Sequence, residues 1–246
     1  MHRCYIEPER WQVDVIEPSA DEAHHLRHVL RAEDGDAVAV FDGEGLEARA
    51  IVRCQPGGQL LLDVQSTAEA AQRPFELILI QAIPKGSRMD LIVEKATELG
   101  IARLVPVVTD RVIVRLNADQ ARKRGERWSR VAKSAAKQCG TQWMPEIEPV
   151  QTLAEALEAL PGVDAVLLGS LVEGVQPLHV TLESVRATPP KSIAVIIGPE
   201  GDLTPTETQA ALAAGALPVS FGDLTLRAET AALYALSVLS YEFLWR

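Results

Sequence analysis

The sequence predicts an α/β protein: a mostly parallel sheet with helices on both faces, preceded by a small, β-rich domain. Two patterns and one total carry this. From Phe75 onward, strand-like apolar runs alternate with helical patterns, the rhythm of a parallel sheet crossed by helices. Residues 1–72 instead hold one helix and three short strand candidates split by hairpin-type turns. Hydrophobic residues make up 47% of the 246 and charged residues 24%, so a sizeable core can be buried. Aromatics are only 4%, so that core must rest on Leu, Val, Ile and Ala.

In chain order, "DEAHHLRHVLR" reads as a helix, with Ser19 and Glu22 as a capping box. The strand candidates 37–41, 46–53 and 59–65 follow, separated by "DGEG" and "QPGG", and together with the helix they suggest a small barrel. "STAEAAQRP" is expected to be a linker, which places the two domains at 1–72 and 73–246. "FELILIQAI" is a nearly continuous apolar run, as in a strand buried on both faces. "SRMDLIVEKATELG" places Met89, Ile92, Val93, Ala96 and Leu99 at helical spacing, with Gly100 as the stop. "RLVPVV" is a strand, and a long basic helix is expected from about Asn117 to Cys139. "DAVLLGS", "SIAVIIG" and "LPVSFG" are further strands. The remaining helices include "TLAEALEAL", "TPTETQAALAAG" and "RAETAALYALSVLSYEFLW".

The totals bound the class. No stretch approaches the ~18 apolar residues of a membrane span, and "MHRCYIEPERW" holds no apolar signal core. Cys4, Cys54 and Cys139 are far apart and form no C-x-x-C, as expected of free thiols in a reducing cytoplasm. The formal net charge of -10 argues against a nucleic-acid partner, but its distribution does not. Between Arg122 and Lys137, seven cations (Arg122, Lys123, Arg124, Arg127, Arg130, Lys133 and Lys137) face one anion, Glu126. Such a local basic face can bind a polyanion, because contacts are local and charge is screened beyond roughly 10 Å. Trp128 lies among these charges at a spacing that suits core packing. His24 and His28 have no accompanying ligand pattern, so no metal is expected; with Arg27 and Arg31 they make a basic side of the small domain.

In parallel sheets, ligands bind beyond the carboxyl ends of the strands. Three such ends, "LLGS", "IGPEG" and "FGDLTLRAET", each place a glycine where a side chain would block a ligand. One such glycine is explained by the turn alone; three, two of them followed by polar residues and a helix, point to a site. The helix after "IGPEG" is marked by Thr204 as cap, Pro205 at the first position and Glu207 at the third. No Walker or dinucleotide fingerprint is present, and Glu200 would repel a phosphate, so the turns suit a neutral or cationic ligand.

With those residues in view, the chain resembles the ribosomal RNA small-subunit methyltransferase E family, SPOUT-superfamily enzymes that methylate N3 of a uridine in 16S rRNA. "KGSRMDLIVEKATELGI", "ERWSRVAKSAAKQCGTQWMPEI", "IGPEGDLTPTE" and "LRAETAAL" occur in that family's order. "HHLRHVLR" followed by "GDAVAVFDGEG" resembles its PUA-like RNA-binding domain. The resemblance implies a trefoil-knotted parallel-sheet methyltransferase domain, a homodimer, and S-adenosylmethionine held by the three turns. Carried over by motif, its cofactor contacts fall on Leu168, Gly169, Gly198, Pro199, Glu200, Gly201, Phe221, Gly222, Leu224, Leu226 and Arg227, with Thr230 and Ala231 beside them. Asp202 stands where the family has a second glycine, and Leu224 and Thr141 stand where it has arginines.

Uridine N3 carries a proton that must leave, so the chemistry needs an acceptor or a group that stabilises the uridine anion. Arg227 is the candidate stabiliser and Glu229 the candidate acceptor; the structural alternatives are a carboxylate partner for Arg227 and a helix-start role for Glu229. Arg27, Arg31, Lys85, Arg88 and the basic helix are the candidate contacts to the small ribosomal subunit's RNA. Two other readings compete: the same fold acting on a tRNA base or a ribose hydroxyl, and a non-catalytic ribosome-assembly factor.

Overall fold

The computed structural model describes residues 1–70, 73, 75–111, 116–160, 162–172 and 174–244. Two compact units emerge: Met1–Gln72 with Lys133–Met144, and Arg73–Ala132 with Pro145–Arg246.

The first unit is built on a five-stranded sheet. Its strands are β1 (His2–Tyr5), β2 (Val15–Ile16), β3 (Ala37–Phe41), β4 (Leu46–Cys54) and β5 (Leu60–Glu69), in the order β1-β3-β4-β5-β2. Only β1 and β3 run parallel. Period-two patterning puts Ala48, Ala50 and Val52 of β4 into a core with Ile6, Ile16, Leu26, Val38, Val40 and Leu62. Helix α1 (Ala20–His24) continues as a π-helical turn, His25–Val29.

Two local expectations are corrected here. Ser19 makes no side-chain cap bond. Glu22, needed for that capping box, is buried instead, and its carboxylate accepts from Lys137 Nζ at 2.9 and 3.2 Å. Nor is 66–69 linker: β5 runs on to Glu69 because β4 begins at Leu46 and pairs with it there. Residues 71, 72 and 74 of the expected linker lie outside the described residues.

The second unit carries a parallel sheet. Its elements are β6 (Glu76–Ala82), α2 (Arg88–Glu98), β7 (Arg103–Val108), α3 (Ala118–Cys139, of which 118–132 belong to this unit), β8 (Glu146–Ile147), β9 (Gln151–Thr152) and α4 (Leu153–Glu158). Then come β10 (Ala165–Gly169), α5 (Leu178–Ala187), β11 (Ser192–Ile197), α6 (Pro205–Ala213), β12 (Leu217–Val219) and α7 (Ala228–Phe243). The order is β12-β10-β11-β6-β7-β8, with β9 also on β7. Leu77–Ala82 of β6 is buried throughout, as the continuous apolar run demands. Ile78, Ile80, Val105 and Ala194 pack with Leu153, Ala156 and Leu157 of α4 and Ala211 of α6. Helices α2 and α7 pack on one another, and α7 also packs on β6 and β11.

Elements that sequence patterning does not announce are β1, β2, β8, β9 and α5. Strands of two residues have no period to read, and α5 follows Pro177 with no side-chain cap. Trp128 is 2% exposed, a core residue as its spacing suggests.

Candidate functional site

Strands β12, β10 and β11 are adjacent and parallel, so their carboxyl ends lie side by side. The three glycine turns leave from those ends and enclose one cavity of about 630 Å3. It is lined by Gly169, Gly198, Pro199, Glu200, Phe221, Gly222, Leu224, Leu226, Arg227 and Ala231, among others. Three expected contacts lie outside that lining. Leu168 is buried within β10, Thr230 is exposed on α7, and Gly201 faces Arg111.

Local forces hold the turns. Gly169 is the close approach: a Cβ there would stand 2.8 Å from the Phe221 ring. Phe221 in turn meets the Tyr234 ring, with centroids 5.7 Å apart. Asp202 takes a left-handed backbone, φ 60°, the conformation that glycine adopts most readily. Aspartate tolerates that conformation here by accepting the Leu203 N–H on its own Oδ1 at 2.8 Å. Arg111 Nη1 donates to the carbonyls of Gly201 (2.7 Å) and Leu203 (3.3 Å). The capping box of α6 forms as expected: Thr204 Oγ1 accepts the Glu207 N–H at 3.3 Å, and Glu207 Oε2 accepts the Thr204 N–H at 2.8 Å. Glu207 Oε1 also accepts the Asp110 N–H at 2.8 Å.

Charge in the site is arranged around Arg88. Glu200 Oε1 accepts from Arg88 Nη1 at 2.5 Å and from the Lys85 N–H at 3.1 Å. Arg88 Nε lies 3.4 Å from Glu229 Oε1. Burial alone would push the Glu200 carboxyl up; the N–H groups of Glu200 and Lys85 and the nearby cations outweigh it, so the carboxyl titrates below its ordinary 4.5. Glu229 does not line the cavity, and its Oε2 is buried with no hydrogen-bond partner. Arg227 is the N-cap of α7, exposed, and lines the cavity with no ion pair among the described residues.

This arrangement can hold a bent, largely apolar ligand with a few polar groups. The volume lies within the roughly 300–1,000 Å3 of small-molecule sites. Among the described residues, the main-chain N–H groups of Leu224 and Leu226 have no hydrogen-bond partner, so both can meet a ligand's acceptors. Glu200 brings a carboxylate to the lining, its charge shared with Arg88. With these donors, the Arg227 guanidinium and the Glu200 carboxylate, the lining fits a sulfonium nucleoside.

Of the expected RNA contacts, Arg88 is paired with Glu200 and Glu229, and the others divide into two groups. Arg122 pairs with Asp119 (2.8 Å) and Glu126 (2.5 Å), Lys123 with Asp119 (2.8 Å), and Arg127 with Asp90. Lys133 reaches Glu7 at 3.6 Å and lies over the Tyr5 ring, and Lys137 is committed to Glu22. Arg27, Arg31, Lys85, Arg124 and Arg130 have no salt bridge among the described residues. Asp119 precedes the run on the same helix, whereas Asp90, Glu7 and Glu22 come from other segments and are not visible from its composition. At Thr141, where the resemblance leads one to expect an arginine, the carbonyl accepts from Arg3 Nη2 at 3.0 Å.

The parallel sheet and its three-turn cavity define a SPOUT-type methyltransferase domain. The family profile described as "RNA methyltransferase domain" matches residues 71–240, and that described as "RNA methyltransferase PUA domain" matches 18–53. The chain belongs to the RNA methyltransferase family so defined. Its relatives include the ribosomal RNA small subunit methyltransferase E of Bacillus subtilis, 28% identical over 98% of this chain and 97% of that one. The protein of that name from Synechocystis is 30% identical over 96% of this chain and 76% of its own. Among solved structures, the Neisseria gonorrhoeae ribosomal RNA small subunit methyltransferase E bound to S-adenosyl methionine is 30% identical. It covers 99% of this chain and 98% of its own with a TM-score of 0.87.

Proposed function

We infer that the protein transfers a methyl group from S-adenosylmethionine to N3 of a uridine in the 16S rRNA of the small ribosomal subunit. The single observation that carries the reading is the convergence of three glycine turns, from three adjacent strands, on one cavity with an anionic Glu200 and open main-chain donors. Bound there, S-adenosylmethionine supplies a methyl group already activated on a positively charged sulfur. The chain's own task is then to position the reactants and manage one proton.

Glu200 complements the cofactor's positive charge, and the Gly169 and Gly198 turns admit it closely. Leu168, Gly201 and Thr230 support the turns and do not touch the ligand. Arg227 stabilises the uridine anion through O2 or O4, since its guanidinium is unpaired at the cavity. Glu229 takes the N3 proton through water; what supports this is its Oε2, an acceptor without a partner in the first turn of α7. Arg27, Arg31, Lys85, Arg124 and Arg130 meet RNA phosphates, because their charges are not already spent within the protein. The further parts of the reading are that the sheet closes a trefoil knot, that the enzyme acts as a homodimer, that the small unit grips RNA, and that the setting is the cytoplasm. Among the described residues no helix is long and apolar enough to cross a membrane.

The test is to incubate the protein with isotopically labelled S-adenosylmethionine and either 30S particles or free 16S RNA, then map the modified nucleotide by mass spectrometry. Label at uridine N3 is the expected result. Label on a tRNA base or a ribose oxygen would move the target, and no label on any RNA would leave a binding factor.

A further inference from the structure

Arg88 is half-buried beside the Gly-Pro-Glu-Gly turn, where a phosphate-binding role is the first expectation for an arginine. Its guanidinium is already divided between two carboxylates that come from different parts of the site. One is Glu200, 112 residues away in sequence, at 2.5 Å in the cofactor turn; the other is Glu229, at 3.4 Å in the first turn of α7. The Lys85 N–H, three residues before Arg88, donates to the same Glu200 oxygen at 3.1 Å. The loop leading into α2 therefore binds the Gly-Pro-Glu-Gly turn with a main-chain donor and a side-chain cation together. Arg88 joins that turn to the head of α7.

We propose that Arg88 is a positioning residue for methyl transfer: it fixes Glu200 within the cofactor turn and holds Glu229 by one oxygen, leaving the other without a partner, and it does not contact RNA phosphate. A planar, two-sided donor is needed for this, which a lysine cannot fully replace. Without Arg88, the two carboxylates would have no cation between them, and the turn would be left to the Lys85 N–H and Arg111. The proposal rests on the cofactor reading above.

The experiment compares the wild type with Arg88→Met, Arg88→Lys and Glu200→Gln. It measures S-adenosylmethionine binding by calorimetry, and RNA binding against salt concentration. The expected result is that Arg88→Met weakens cofactor binding by about ten-fold or more, as loss of a charge-assisted pair does, while RNA affinity and its salt slope stay as in the wild type. Arg88→Lys recovers part of the loss, and the Arg88→Met/Glu200→Gln double variant is no weaker than Arg88→Met alone. If thermal melts show that Arg88→Met does not fold, Arg88→Lys and Glu200→Gln carry the test, each expected to weaken the cofactor and not the RNA. Cofactor affinity within two-fold of the wild type, with RNA affinity reduced and the salt slope lowered by about one, overturns the proposal and returns Arg88 to a phosphate contact. A wild-type protein that binds no S-adenosylmethionine instead overturns the cofactor reading itself.

Discussion

At Gly169 the smallest side chain is already too large, because a Cβ would meet Phe221 ring carbons at 2.8 and 3.1 Å. Gly169→Ala must push that ring, which lines the cavity, and should weaken cofactor binding on the order of ten-fold with little change in melting temperature. Calorimetry beside a thermal melt reads both, and unchanged affinity would show that the turn has slack. At Glu229 the buried, unpartnered oxygen predicts a different signature. Glu229→Gln should slow single-turnover methylation by about 10²-fold or more while the cofactor Kd stays put. An unchanged single-turnover rate removes the proton-acceptor role. At Glu200 the carboxyl titrates below 4.5 in the folded protein. A depressed value means that its contribution to stability is complete above the ordinary value and is lost as pH falls through the folded one. The unfolding midpoint of Glu200→Gln should therefore run parallel to the wild type above about pH 4.5 and fall less steeply below it.

Helix α6 shows how an element can organise a site without touching the ligand. Its capping box satisfies helix-start donors, and the second oxygen of Glu207 takes the Asp110 N–H, so one carboxylate binds the start of α6 to the loop after β7. Removing the cap hydroxyl with Thr204→Ala should cost about 1 kcal/mol in urea unfolding, the usual cost of losing such a cap. A cost near zero would mean that Arg111 and the Glu207–Asp110 bond hold the turn unaided. Helix α3 teaches the opposite lesson about charge. Its basic run reads as one phosphate-binding face, yet Arg122 and Lys123 pair with Asp119 of the same helix and Arg127 pairs with Asp90 of α2. Helical periodicity shows which side chains share a face, and says nothing of which anions another segment brings to it.

At the scale of the whole molecule, the chain returns to pair groups far apart in sequence. Lys137 and Glu22, 15% and 5% exposed, form such a pair, and the Cys4 thiol lies 3.5 Å from the same carboxylate. Burial first, and then the Glu22 charge, push that thiol well above its ordinary 9.0, so it stays protonated. Lys137→Met leaves a buried carboxylate without its cation and should destabilise the first unit by ~3–5 kcal/mol. Lys137→Met with Glu22→Leu removes both charges and should recover most of that in the same urea titration. If the single variant unfolds like the wild type, the pair contributes little.

Much was determined by local chain chemistry. The apolar run of Phe75–Ile83, the glycines that end β10, β11 and the stretch after β12, and the Thr204–Glu207 box each act over a few residues. They could be read as strand, turn and helix start without knowledge of the rest. That the three turns enclose one cavity was an inference from parallel strands, and the strand order β12-β10-β11 supplies it. Only the tertiary structure decided the fate of the charges. Ser19 lost its expected box because Glu22 met Lys137 across 115 residues, and Arg88 was taken from solvent by Glu200 across 112. Ion pairs act through space and depend on burial, whereas periodicity and turn propensity act along the backbone, so the first are settled by packing and the second are written in order along the chain.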